Sequence, residues 1–131
     1  GTFKKKSYEL IRDLFIFCTF TGLSWTDMAN LTRANLQTSF DGHLWLNTNR
    51  QKTGAETNIR LLDVAKHIIE KYRDMAPDGK LLPVPCYNNC KNSIKAIAKK
   101  CGIEKNVTWH TARYNNLPFS LKFNSLQNIS A

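Results

Sequence analysis

Leu36-Gln37-Thr38-Ser39-Phe40-Asp41-Gly42-His43-Leu44-Trp45-Leu46-Asn47, continuing to Thr57-Asn58-Ile59-Arg60-Leu61-Leu62, is where the chain changes its hydrophobic period from helical to two. Leu36–Phe40, Leu44–Asn47 and Thr57–Leu62 read as short strands. Turns are expected at Asp41-Gly42 and around Thr53-Gly54. Three strands joined by loops this short form a small antiparallel sheet, because a parallel pair needs a crossover of a dozen residues or more. The segments on either side carry helical spacing, so the fold expected is α+β, mainly α, with one small three-stranded antiparallel sheet.

Working outward towards the N terminus, Ser24 caps a short helix through Leu31 with Asp27 in its first turn. Thr21-Gly22-Leu23 separates it from a helix over Tyr8 to about Phe20, capped by Ser7. There Leu10, Ile11, Leu14, Phe15, Phe17 and Cys18 recur at helical spacing. Residues 1–6, with Lys4-Lys5-Lys6, read as a mobile basic lead-in, and the opening Gly1 suggests a cut from a larger parent protein. Towards the C terminus, Asp63 is the expected cap of a helix from Val64 to about Arg73, ended by Pro77-Asp78-Gly79. Leu82-Pro83-Val84-Pro85 is an extended connector, since two prolines two apart exclude a helix. A further helix from about Asn89 to Cys101 puts Ile94, Ile97, Ala98 and Cys101 on one face and stops at Gly102. Its other face carries Lys91, Lys95 and Lys99, spaced four apart.

The length of 131 residues allows one domain, and 42% apolar residues with 14 aromatics fit a globular fold. Lys plus Arg number 19 against 10 acids, a net charge of +9, which implies a polyanionic partner or an anionic surface. Along the chain this charge is uneven. Residues 1–62 carry +3 (8 basic, 5 acidic) and residues 63–131 carry +6 (11 basic, 5 acidic). No apolar run approaches membrane-spanning length and no signal-peptide core opens the chain, so a cytoplasmic protein without a membrane partner is expected. Cys18, Cys86, Cys90 and Cys101 match no usual zinc spacing, and only three histidines could supplement them. They read as reduced thiols, Cys18 and Cys101 on apolar helical faces.

Thr108-Trp109-His110-Thr111-Ala112-Arg113 supplies the sharpest chemical signal. Thr108 is a suitable N-cap, and residues three apart on a helix share a face. His110 and Arg113 can therefore address one oxyanion, near a helix N-terminus that itself favours anions. A guanidinium fork grips two phosphate oxygens while an imidazole donates or shuttles a proton. The ordinary alternative is a capped surface helix with a solvated arginine. For Lys91, Lys95 and Lys99 it is a solvated face, and in a chain this basic the same row is also a track for a phosphate backbone.

Taken in order, the segments resemble the tyrosine recombinases, the phage-type integrases. Thr21-Gly22-Leu23-Ser24-Trp25-Thr26-Asp27-Met28-Ala29-Asn30-Leu31 is similar to their first signature block, and Trp109-His110-Thr111-Ala112-Arg113 to their second. Thr48-Asn49-Arg50-Gln51-Lys52-Thr53-Gly54 stands where the family carries its catalytic lysine. Leu82-Pro83-Val84-Pro85, the lysine-rich helix and Cys101-Gly102-Ile103 resemble integrases of mobile elements. The resemblance covers about residues 7–114, leaving 115–131 as an atypical tail. It implies a catalytic domain that cuts and rejoins DNA through a phosphotyrosine linkage. Arg113 would clamp the phosphate, His110 would shuttle a proton, and Lys52 would protonate the departing 5′-oxygen. Arg50 would join Lys91, Lys95 and Lys99 in holding DNA. No metal or cofactor is needed, because arginines act as the charge sink and the covalent intermediate conserves the bond energy. Double-stranded DNA and other recombinase subunits are the implied partners.

Two positions depart from the family pattern. Arginine usually follows Gly-Leu in the first block, and here Ser24 stands there. Arg12 is the first candidate for the second clamp and Arg33 the next. The family's nucleophilic tyrosine lies well past the second block, whereas Tyr114, the only tyrosine there, follows Arg113 directly. The chain therefore reads as a catalytic-domain fragment with phosphate-activating residues and without the nucleophile. Its rivals are a non-enzymatic basic DNA-binding module, with residues 23–36 as a helix-turn-helix, and an inert scaffold. The turn of that motif lacks its glycine.

Overall fold

The structure, a computed structural model, describes residues 2–49, 53–100, 102, 108 and 109, with side chains from Tyr8 onward. It is α+β and mainly helical. In chain order run α1 (Thr2–Thr21), α2 (Trp25–Ala29), β1 (Leu36–Thr38), β2 (Leu44–Asn49), β3 (Glu56–Arg60), α3 (Asp63–Lys71) and α4 (Tyr87–Lys100), with 3-10 turns at Arg33–Asn35 and Arg73–Met75. The chain divides into two compact units. One is built from both ends, residues 1–24 and 85–131, and the other from Trp25–Val84.

In the first unit α1 packs with α4. Every residue from Ile11 to Cys18 is buried, as expected of a helix segment that is apolar nearly all round. α4 is one-sided. Cys90, Ile94, Ile97 and Ala98 are buried at helical spacing, and each fully buried aliphatic side chain contributes about 1.5–3 kcal/mol. Gly102 closes it at φ +72, with its N–H donating to the Lys99 carbonyl at 3.1 Å. Trp109 is buried and its ring lies 5.7 Å from that of Phe15, tilted by 56°.

The second unit holds the sheet, ordered β1-β2-β3 and antiparallel throughout. Leu36 pairs with Leu46, and Leu46 with Ile59, so these three share the face on which Leu46 is fully buried. Period-two alternation then puts Gln37, Trp45, Asn47, Asn58 and Arg60 on the opposite face. α3 contributes Ala65, Ile68 and Ile69 to the buried set, followed by Tyr72. An isolated bridge between Thr32 and Lys80, with Leu81 N–H donating to the Leu31 carbonyl at 3.1 Å, ties the two ends of the unit together.

The backbone differs from the sequence expectation at several boundaries. α1 starts at Thr2 rather than Tyr8; lysines are good helix formers, and no glycine or proline interrupts residues 2–7. Residues 2–6 therefore belong to the helix rather than to a lead-in. α2 ends at Ala29, two residues short of Leu31. β1 ends at Thr38, because Ser39 N–H donates to the His43 carbonyl and Gly42 N–H to the Ser39 carbonyl, closing the turn early. Gly42 stands at φ +81, where a side chain would be strained. β2 runs on to Asn49 opposite Glu56, which shifts β3 to Glu56–Arg60. α3 is entered through Leu62 in extended conformation. Asp63 is its first residue, pairing with Lys66 at 3.1 Å, and acts on the helix dipole from the first turn. α4 starts two residues before the expected Asn89. After α2 comes a 3-10 turn and then β1, so no second helix of a helix-turn-helix exists in residues 30–38.

Candidate nucleic-acid interface

The helical period places Lys91, Lys95 and Lys99 on the face of α4 opposite Cys90, Ile94 and Ile97, and all three are exposed. Four residues advance a helix by roughly 6 Å, so the row presents three ammonium groups along about two turns. Lys100 lies beside the row, its Nζ 4.6 Å from the centre of the Tyr8 ring, which fastens it to α1.

Charge is divided much more sharply between the two units than between the halves of the sequence. The unit made of residues 1–24 and 85–131 carries 11 basic against 3 acidic residues, +8, and Trp25–Val84 carries 8 against 7, +1. Nearly all of the net charge thus belongs to the unit that displays the lysine row.

Arg12 lies in that unit, in the buried stretch of α1. Its Nε and Nη2 donate to one oxygen of Asp13 at 3.1 and 2.9 Å, and Nη2 is 3.7 Å from Glu9. The guanidinium is engaged by a carboxylate and shielded from solvent. Arg33, the other candidate, is exposed, and its Nη2 donates to the Arg73 carbonyl at 3.2 Å.

Of the HxxR segment, Thr108 is half-buried and Trp109 is anchored beside Phe15. His110, Arg113 and Tyr114 lie outside the described residues. So do Arg50 and Lys52, in the loop between Asn49 and Glu56, whose ends pair across the β2–β3 ladder. Among the described residues, no three His, Cys, Asp or Glu side chains gather where a metal ion could be held. Cys18 and Cys90 are buried thiols and Cys86 is exposed. Among the described residues no helix is long and apolar enough to cross a membrane.

With this geometry in hand, the chain was compared with known proteins. No family model matches it. No curated protein and no solved structure matches it either.

The sequence reading passed over one feature, a groove of about 670 Å³ on the polar face of the sheet. Its signal was present as the alternating polar positions of β2 and β3, on the side opposite Leu46 and Ile59. Asp41 in the preceding turn accepts the His43 N–H at 2.9 Å and the Trp45 indole N–H at 3.3 Å. The His43 bond is the main reason that the Asp41 carboxyl is held below its ordinary pKa. The Trp45 bond and the nearby charges of His43 and Arg60 add to it, against a small opposing effect of burial.

Proposed function

We propose that this chain is a DNA-binding catalytic-domain segment of a tyrosine recombinase, acting in the cytoplasm on double-stranded DNA together with other recombinase subunits. The observation that carries the DNA part is the concentration of charge, +8 in the unit that presents Lys91, Lys95 and Lys99. A polyanion gains most where cations are dense and carboxylates few. The catalytic part rests on the ordered resemblance of the blocks around Leu23, Lys52 and His110. In-line displacement at a phosphodiester builds charge on the equatorial oxygens, which Arg113 is suited to stabilise. His110 handles the proton at the phosphate, and Lys52 supplies one to the leaving 5′-oxygen.

The test of DNA binding is a duplex titration at several salt concentrations. Affinity should fall with salt at a slope of about −0.9 per phosphate neutralised. Replacing Lys91, Lys95 and Lys99 together by Ala should flatten that slope, and an unchanged slope removes the lysine face from the interface.

One observation favours the second reading, a non-enzymatic basic DNA-binding module. Arg12, the first candidate for the missing clamp, already has its guanidinium on Asp13. Lys52 and His110 separate the two readings. In a chain extended to include a nucleophilic tyrosine, a recombinase loses strand cleavage when either is replaced by Ala and keeps its duplex affinity. A binding module has no cleavage to lose.

A further inference from the structure

The groove on the polar face of the sheet has features that a DNA interface does not use. Gln37, Asp41, Trp45, Asn47, Glu56 and Asn58 line it, together with the turn residues before Asp41. Its charged residues are two carboxylates, and no lysine or arginine lines it. A phosphate backbone is repelled there, and a cation is attracted.

The groove is also held in shape before any ligand arrives. Asp41 takes the Trp45 indole N–H, which fixes the ring and enriches its electron density. Asn47 Nδ2 donates to Gln37 Oε1 at 2.7 Å, which leaves Asn47 Oδ1 as an acceptor and the Gln37 amide N–H groups as donors. Asn58 and Glu56 make no hydrogen bond or ion pair among the described residues, so their polar atoms remain available. At the rim Phe40 is fully exposed, an aromatic surface that only a partner could cover.

We propose that this groove binds an extended, arginine-bearing peptide segment of a partner protein. The guanidinium stacks on the Trp45 ring and pairs with the Glu56 carboxylate, and the amides of Gln37, Asn47 and Asn58 take up the peptide backbone. Arginine fits better than lysine because its planar fork can stack and bond a carboxylate at once. An apolar residue beside the arginine covers Phe40. The proposal is independent of the recombinase reading, since it uses the near-neutral unit and none of the DNA-binding lysines.

The experiment is an NMR titration of the full chain, following the Trp45 indole N–H, with a capped Gly/Ser peptide carrying two arginines and one leucine as probe. A saturable shift is expected, weaker when the arginines are replaced by lysines. Glu56→Gln and Trp45→Leu should each reduce the affinity by about tenfold, the equivalent of one charge-assisted contact, with circular dichroism checking that both variants fold. Glu56 is exposed at the start of β3, so its variant keeps the test valid if Trp45→Leu unfolds. The proposal is overturned by any of four results: no Trp45 shift at millimolar peptide, equal affinity in Glu56→Gln, a response to a neutral trisaccharide in place of the peptide, or self-association that accounts for the shift without peptide.

Discussion

Arg12 and Asp13 are neighbours in sequence and also partners in space, with two guanidinium nitrogens donating to a single carboxylate oxygen inside the buried stretch of α1. Side chains of adjacent helical residues ordinarily diverge, and this pair turns together because neither charge has solvent available. Removing one partner leaves the other buried and uncompensated. Arg12→Ala is expected to cost about 3–5 kcal/mol in urea unfolding, and the double variant Arg12→Ala/Asp13→Ala less than Arg12→Ala alone. If Arg12→Ala is as stable as the parent chain, the pair does not hold α1 and the side chain is available for phosphate.

Leu46 and Phe40 make a controlled contrast in the same hairpin. Leu46 is fully buried at the centre of the sheet, and Phe40 is fully exposed at its turn. Leu46→Ala should lower stability by about 2–5 kcal/mol. Phe40→Ser should change it by no more than about 0.5 kcal/mol. Thermal unfolding of the two variants checks both statements.

Gly42 stands at φ +81 with open space around it, so an added methyl group meets no atom within 4 Å. The whole penalty of Gly42→Ala is then backbone strain, about 1–2 kcal/mol. A loss well above that, measured by chemical denaturation, would show that the turn depends on more than its dihedral angles.

Asp41 gives the hairpin an acid dependence. Its carboxyl is held low in the folded state, first by the His43 N–H, so the folded form binds the proton less readily than the unfolded chain. The stabilisation is present above the unfolded value of about 3.9 and is lost as pH falls through the lower folded value. The Trp45 indole resonance should therefore move as the carboxylate is protonated, and in Asp41→Asn that acid transition should disappear.

The 131-residue chain is expected to bind duplex and to form no covalent adduct with a nicked suicide substrate. Tyr114 follows Arg113 directly, and adjacent residues of a helix are turned about 100° from one another. An adduct on a denaturing gel that Tyr114→Phe abolishes would overturn that assignment.

The sequence by itself determined the elements. The two-residue period of Leu36–Leu62 and the helical periods on either side follow from local side-chain geometry, and the sheet and helices stand where those periods put them. So does the exposure of Lys91, Lys95 and Lys99, since Cys90, Ile94 and Ile97 fix which face of α4 is buried. Element boundaries were less legible. Asp63 reads as a cap, and the extended residue that begins α3 is instead Leu62, because the chain leaves β3 one residue earlier.

Only the tertiary structure decided how distant segments share a unit. Cut in sequence order, the chain divides its charge as +3 and +6. Folded, residues 1–24 join 85–131 and the division becomes +8 and +1. The burial of Arg12 was equally out of reach, because a helix pattern shows which residues align but not how many sides are covered. The same holds for the groove beside Trp45. It needs three strands in register, and register is a long-range pairing that no single strand encodes.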